Sequence, residues 1–174
     1  MDELTQLAIK YGTDKWGKHH YTPVYYDLFK DRQNEVQKVL EIGTAEGAGL
    51  FMFRDFFPNA IIYGAEIDPR RVELMKGQDR IEVFEVNQAS GDDLINLMNE
   101  IGGDIDLVID DGSHKPEDQI FTCLYLMQYV KKGCIYVIED VADTDIISIL
   151  ANKFYVEVKE VGERYDDRLV IIKK

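Results

Sequence analysis

The chain has 174 residues, 45% hydrophobic and 30% charged, a balance that supports a folded domain with a substantial core and argues against disorder. Lys and Arg number 20 against 33 Asp and Glu, a formal charge of −13. So acidic a surface repels phosphate backbones and anionic lipid, which argues against nucleic acid or a membrane surface as partner. No apolar run approaches the roughly 20 residues that span a bilayer. The Met1-Asp2-Glu3 start lacks a signal-peptide pattern, and Cys123 and Cys134 sit in apolar runs as reduced core residues. A cytoplasmic protein is expected.

In chain order, residues 4–11 read as a short helix, followed by a polar and aromatic loop, residues 12–21. Five β-rich blocks come next, at 38–42, 61–66, 81–86, 105–109 and 134–138. Each is a nearly continuous run of Val, Ile, Leu or Tyr, the composition of strands buried on both faces. Helical spacing separates them at 50–57, 70–76, 92–101 and 116–130. The last opens on Pro116, Glu117 and Asp118 and closes on Lys131-Lys132-Gly133, helix start and stop chemistry in the right order. This alternation predicts right-handed βαβ units and a parallel sheet with helices on both faces. A helix over 144–151 then precedes two strands, 154–161 and 169–172, with only residues 162–167 between them. They form a hairpin, so the last strand runs antiparallel. The fold class is α/β, in one domain, 1–174, whose residues 1–30 make an N-terminal helix and flap.

The first strand runs into Glu41-Ile42-Gly43-Thr44-Ala45-Glu46-Gly47. Open parallel sheets bind ligands beyond the carboxyl ends of their strands. Gly43 and Gly47 let the backbone pass close to a ligand with no Cβ in the way. The Gly-x-x-x-Gly spacing is not the Gly-x-Gly-x-x-Gly of dinucleotide sites, which counts against a nicotinamide-dependent oxidoreductase. A carboxylate at Glu41 repels a pyrophosphate but pairs with a ligand ammonium group. The second strand ends Glu66-Ile67-Asp68, where an acid can hold a ribose diol by two hydrogen bonds. The third ends Val86-Asn87-Gln88-Ala89, with amide and backbone groups suited to an adenine edge. Each feature alone is explained by a turn glycine or a solvated acid; three in order at successive strand tips outweigh that explanation.

The fourth strand ends Asp110-Asp111-Gly112-Ser113-His114 and the fifth Glu139-Asp140. As neighbours across the sheet they would bring Asp111, Glu139 and Asp140 together. Three carboxylates need neutralising, and an oxygen-preferring Mg²⁺ suits them, with a substrate oxygen and waters completing an octahedron. A hydroxyl on such an ion becomes more acidic, and His114 is placed to take its proton. The alternative is structural: Asp111 or Ser113 capping the next helix, and His114 facing solvent.

On these residues the sequence resembles the class I S-adenosylmethionine-dependent methyltransferases from about Lys38 to the C-terminus. Glu41, Gly43 and Gly47 match the family's glycine motif, Glu66 its ribose-binding acid and Asn87-Gln88-Ala89 its adenine segment, with Asn87 where Asp is frequent. The resemblance implies a Rossmann-like, seven-stranded, mostly parallel sheet with an antiparallel C-terminal strand. Asp-Gly-Ser-His followed by Glu-Asp is similar to the metal-dependent sugar O-methyltransferases of macrolide biosynthesis, of the mycinamicin type, and more distantly to catechol O-methyltransferase, which has a lysine at the place of His114.

That resemblance implies Mg²⁺ on Asp111, Glu139 and Asp140, with His114 as catalytic base. It implies S-adenosylmethionine held by Glu41, Gly43, Thr44, Gly47, Glu66, Ile67, Asn87, Gln88, Ala89 and Asp110. Thr13, Lys15 and Tyr21 belong to an N-terminal segment, with His19 and Tyr25, that would close over the methionine end; the alternative is that Tyr21, Tyr25 and Tyr26 only pack it onto the domain. The implied reaction is in-line attack of a hydroxyl on the sulfonium methyl, the acceptor a glycoside or polysaccharide sugar, with a catechol-like phenol second. The sugar enzymes are longer at both ends of this core. A neighbouring protomer or partner subunit is therefore expected to complete the acceptor pocket, and a non-enzymatic cofactor-binding module dependent on a partner is the remaining alternative.

Overall fold

In the computed structural model, which describes residues 1–174, the elements run α1 (Glu3–Tyr11), α2 (Thr22–Phe29), a 3₁₀ turn (Gln33–Glu35), β1 (Lys38–Ile42), α3 (Ala48–Phe56), β2 (Ile61–Glu66), α4 (Pro69–Leu74), β3 (Ile81–Glu85), α5 (Gly91–Ile101), β4 (Leu107–Asp110), α6 (Pro116–Leu126), β5 (Ile135–Ile138), α7 (Asp145–Ala151), β6 (Tyr155–Glu160) and β7 (Arg168–Lys173). All seven strands join one sheet in the order β3-β2-β1-β4-β5-β7-β6. β1 to β5 pair in parallel, while β7 runs antiparallel to both β5 and β6. This is the expected Rossmann-like α/β fold, with its antiparallel last strand.

Strand periodicity explains why both faces are covered, because successive side chains point to opposite sides. Val39, Ile62, Ile109 and Val137 join Leu4, Tyr25, Phe29 and Phe53 in a core beneath α1, α2 and α3. Leu40, Val108, Tyr136 and Ile138 join Leu97, Leu126 and Leu150 beneath α5, α6 and α7. Local chemistry sets the helix ends. Asp2 accepts the Thr5 N–H to start α1, and Gly12, at φ 71°, ends it; Ser90 accepts the Asp93 N–H to start α5.

Two elements depart from the sequence expectation. α2 falls within the segment read as a flap. It has a proline in its first turn but no side-chain cap and no first-turn acid. Its buried residues include Tyr25 and Phe29, aromatics of modest helix propensity, so burial against Phe53 and Phe57 at α3 decides it. α6 stops at Leu126 instead of reaching Val130. Gln128 and Tyr129 donate to carbonyls three residues back, closing the end with tighter turns.

Register places the site. Ile42 pairs with Asp110, and Asp110 with Ile138. Gly43, Asp111 and Glu139 therefore leave the sheet at one level. β1 connects toward β2 and β4 toward β5, so the strand order reverses between β1 and β4 and opens a crevice at their tips.

Candidate active site

A cavity of about 600 Å³ occupies that crevice. Gly43, Glu66, Ile67, Asn87, Gln88 and Ala89 line one end, and Asp111 and His114 the other. Glu66 is only 3% exposed. Its Oε2 accepts the N–H groups of Thr44 (3.2 Å) and Ala45 (3.0 Å), and its Oε1 that of Asp68 (3.0 Å). These backbone donors fix the carboxylate at the cavity wall, and charge-assisted bonds of this kind are the strong ones. The two glycines sit differently, and only Gly43 lines the cavity. A Cβ on Gly43 (φ 81°) would lie 2.2 Å from the Asp111 carbonyl oxygen, so this residue lets the β1 and β4 tips touch. Gly47 (φ 85°) lies outside the cavity lining, and its Cβ would meet the Met75 sulfur at 2.4 Å, so it serves packing at the start of α3.

Gln88 and Asp110 brace the floor. The Gln88 amide donates to Asp110 Oδ1 at 3.1 Å and accepts the Ser113 N–H at 2.7 Å, bolting the β3 tip to the loop after β4. Asp110 also receives the Tyr136 hydroxyl at 3.1 Å. Burial pushes its carboxyl up to about 7 against both hydrogen bonds. It is fully buried beneath the cavity, where it orders the floor.

A second cavity of about 280 Å³ adjoins the first, sharing Asp14, Gly43, Ala45 and Asp111 and lined further by Thr13, Lys15, Glu41 and Thr44. Lys15 is its centre. The side chain is 2% exposed, and Nζ lies 3.1 Å from Glu41, 2.7 Å from Asp111 and 2.6 Å from Glu139. Burial opposes the charge on this lysine, but the surrounding carboxylates overturn that and hold its pKa well above the ordinary value. One ammonium cannot satisfy three acids. Burial lifts Glu41 to about 7 despite Lys15, and lifts Glu139 well above its usual range. Glu41 Oε2 is buried with no hydrogen-bond partner. An unpaired acceptor on a cavity wall calls for a donor, and a ligand ammonium group fits it.

Asp111, His114 and Asp140 each bring one ligand atom within 4.8 Å of the others. Glu139 stands outside that group, its carboxylate held by Lys15 and by the Tyr25 hydroxyl at 2.5 Å. The three acids read together from the sequence are thus divided: Asp140 beside His114, Glu139 on Lys15, and Asp111 in contact with both His114 and Lys15. His114 Nε2 is 3.1 Å from Asp111 Oδ1, and Nδ1 is 3.7 Å from Asp140 Oδ2. The hydrogen bond to Asp111 raises the His114 pKa, with partial burial opposing. For Asp111 burial acts upward, but the Lys15 charge and the His114 bond prevail and hold it below the usual carboxylate range.

His114 (φ 57°) and Asp140 (φ 51°) both have left-handed backbones. For residues with a Cβ this costs on the order of 1–2 kcal/mol each, and such strain concentrates at functional sites. Tyr21 lines neither cavity. Its hydroxyl donates to Asp140 Oδ1 at 2.5 Å and accepts the Asp140 N–H at 3.3 Å, so it restrains the strained residue. The N-terminal segment is therefore more than packing: Lys15, Tyr21 and Tyr25 reach the acids directly.

Residues 40–141 match a family described as a methyltransferase domain. The chain belongs to that family. Among curated relatives, the 8-demethyl-8-(2-methoxy-alpha-L-rhamnosyl)-tetracenomycin-C 3'-O-methyltransferase of Streptomyces olivaceus is 36% identical over 148 residues, covering 79% of this chain and 36% of the relative. The mycinamicin VI 2''-O-methyltransferase of Micromonospora griseorubida is 35% identical over 147 residues, with coverage of 79% and 36%. The chain thus spans little more than a third of the length of these relatives. Among solved structures, the MycE methyltransferase of the mycinamycin biosynthetic pathway, in complex with Mg, SAH and mycinamycin VI, superposes with a TM-score of 0.81 at 26% identity, over 99% of this chain and 54% of that one.

Sequence reasoning missed the Tyr25–Glu139 bond and the burial of Asp167, which lies in what read as a plain polar connection. No local signal marks either one, because each partner is more than a hundred residues away.

Proposed function

We propose that this chain forms the cofactor and metal half of an S-adenosylmethionine-dependent, Mg²⁺-dependent O-methyltransferase acting on a sugar hydroxyl of a glycoside. The observation that carries the reading is the joined cavity. It sets Glu66 at one end, Asp111 and His114 at the other with Asp140 beside them, and the unpaired oxygen of Glu41 at the adjoining smaller cavity, with Gly43 and Asp111 lining both. Relatives named for methylation of rhamnosyl tetracenomycin and of mycinamicin support the sugar acceptor, and the solved neighbour in complex with Mg and SAH supports the two cofactors.

In this reading Glu41 accepts the ammonium group of the cofactor, Glu66 the ribose hydroxyls, and Asn87 and Ala89 the adenine edge, against Ile67. Asp111 and Asp140 hold the metal, with Glu139 joining them if Lys15 yields it. When bound, S-adenosylmethionine supplies an electrophilic methyl group and Mg²⁺ supplies charge that acidifies a hydroxyl. His114 takes the hydroxyl proton: with Nε2–H donating to Asp111, Nδ1 is the nitrogen left to accept it. The rest of the chain's contribution is positional, since two reactants held at one sheet edge react as if in a single molecule. His114 is the exposed member of its cluster, so the acceptor pocket is completed there by another protomer or a partner subunit.

The test is transfer of a labelled methyl group from S-adenosylmethionine to a panel of deoxyhexosyl glycosides and catechols, with Mg²⁺ or with EDTA. Label on a glycoside hydroxyl only with metal is the expected outcome. Label on catechols alone would move the acceptor class to phenols. No transfer to any acceptor would refute the enzymatic reading and leave a cofactor-binding module.

A further inference from the structure

We propose that His19 is a positioning residue that aims Asp140, acting as a clamp between the N-terminal loop and the β6–β7 loop; the inference rests on the reading of Asp140 as a metal ligand. His19 is 1% exposed, and its ring stacks on Tyr21 with centroids 4.8 Å apart and 11° between planes. Its Nδ1 pairs with Asp167 Oδ1 at 2.7 Å. Its Nε2 is buried with no hydrogen-bond partner and stands 3.6 Å from Asp140 Oδ1, the oxygen that accepts the Tyr21 hydroxyl. A buried ring nitrogen without a partner is costly, and an imidazole set between two acids is a poor choice for filling apolar space.

Asp167 is a fixed anchor. It is 4% exposed, and its Oδ2 accepts the Arg164 N–H at 2.9 Å. A Cβ on Gly162 would lie 2.0 Å from that same oxygen, so the turn closes around the carboxylate. Nearby, Arg168 donates to the Val141 carbonyl at 2.7 Å, bracing the residue after Asp140 from the same hairpin. His19 carries this anchor across to Asp140, whose left-handed backbone needs restraint from outside. Groups set behind a metal ligand orient it, and losing one typically costs about 10–100-fold in metal affinity.

The test measures Mg²⁺ affinity by calorimetry for the unaltered chain, His19→Ala, His19→Asn, Asp167→Asn and the Ala/Asn double variant. S-adenosylhomocysteine affinity without metal and thermal unfolding are recorded alongside. We expect Mg²⁺ to bind about 10-fold more weakly to His19→Ala and to Asp167→Asn. The double variant should lose no more, and His19→Asn should recover part of the loss because its amide still donates to Asp167. S-adenosylhomocysteine affinity should stay within about twofold. If His19→Ala fails to fold, the near-isosteric Asp167→Asn decides. Unchanged Mg²⁺ affinity, or metal and cofactor affinities falling in parallel, would make His19 a fold-stabilising residue and overturn the proposal. No Mg²⁺ binding by the unaltered chain would overturn the metal reading instead, and this inference with it.

Discussion

The two ends of the cavity are positioned by different means. At the end proposed for the nucleoside, Glu66 is held by backbone N–H groups of Thr44 and Ala45, 22 and 21 residues away within one βαβ unit. At the acid end Asp111, Glu139, Asp140 and Asp167 are held by side chains of Lys15, Tyr21, Tyr25 and His19, across separations of 96 to 148 residues. Strand pairing alone nearly completes the first arrangement. The second is a balance of buried charges that stands or falls with individual side chains. Damage at the nucleoside end should therefore show as lost ligand affinity, and damage at the acid end as lost reaction or lost stability.

The largest effect should come from His114. His114→Ala should slow methyl transfer by about 10²–10⁴-fold, the usual worth of a positioned base. Calorimetry should find S-adenosylhomocysteine affinity unchanged, since the nucleoside end is untouched. Lys15→Met comes next. It strands Glu41, Asp111 and Glu139 without their shared cation, and breaking a buried ion pair from one side costs about 3–5 kcal/mol. Urea unfolding without metal should show that loss, and added Mg²⁺ should restore part of it by neutralising two of the acids. A loss insensitive to Mg²⁺ would blur the distinction between the two ends.

Glu41, Gly43, Glu66 and Asn87 lie at or beside the ends of apolar blocks, and a strand tip is where a parallel sheet presents its ligand groups, so block boundaries alone mark them as candidates. The antiparallel β7 was legible because residues 162–167 are too few for a helix. α2 was not, because its helix comes from burying Tyr25 and Phe29, a tertiary fact. Lys15 reads locally as one more loop lysine, and only the folded chain shows that it meets three acids. The closeness of Asp111 and Asp140 follows from neighbouring strand tips, but the turning of Glu139 toward Tyr25 depends on a helix that the pattern did not show.

The smallest effect lies away from both ends. Asp55 of α3 pairs with Lys10 at 2.8 Å and Arg54 at 2.9 Å and accepts the Tyr11 hydroxyl, tying α1 to α3 ahead of the N-terminal loop. Burial acts upward on its carboxyl, but these donors hold it below the usual range. A depressed carboxyl stabilises the fold above the unfolded-state value of about 4, and that contribution fades as pH falls through the folded value. Asp55→Asn should cost about 0.5–1 kcal/mol at pH 7. The gap should close toward pH 2 in thermal melts; a gap that persists at low pH would show that packing, rather than charge, joins the two helices.

The central claim is that the joined cavities bind the cofactor through Glu66 and Glu41 and a metal through Asp111 and Asp140. It is tested most directly by titrating S-adenosylhomocysteine into the unaltered chain and into Glu66→Ala, each with and without Mg²⁺. The account predicts binding of S-adenosylhomocysteine with or without metal, weakened about tenfold or more in Glu66→Ala, and a separate Mg²⁺ isotherm that this substitution leaves in place. No binding of S-adenosylhomocysteine by the unaltered chain under either condition would contradict it.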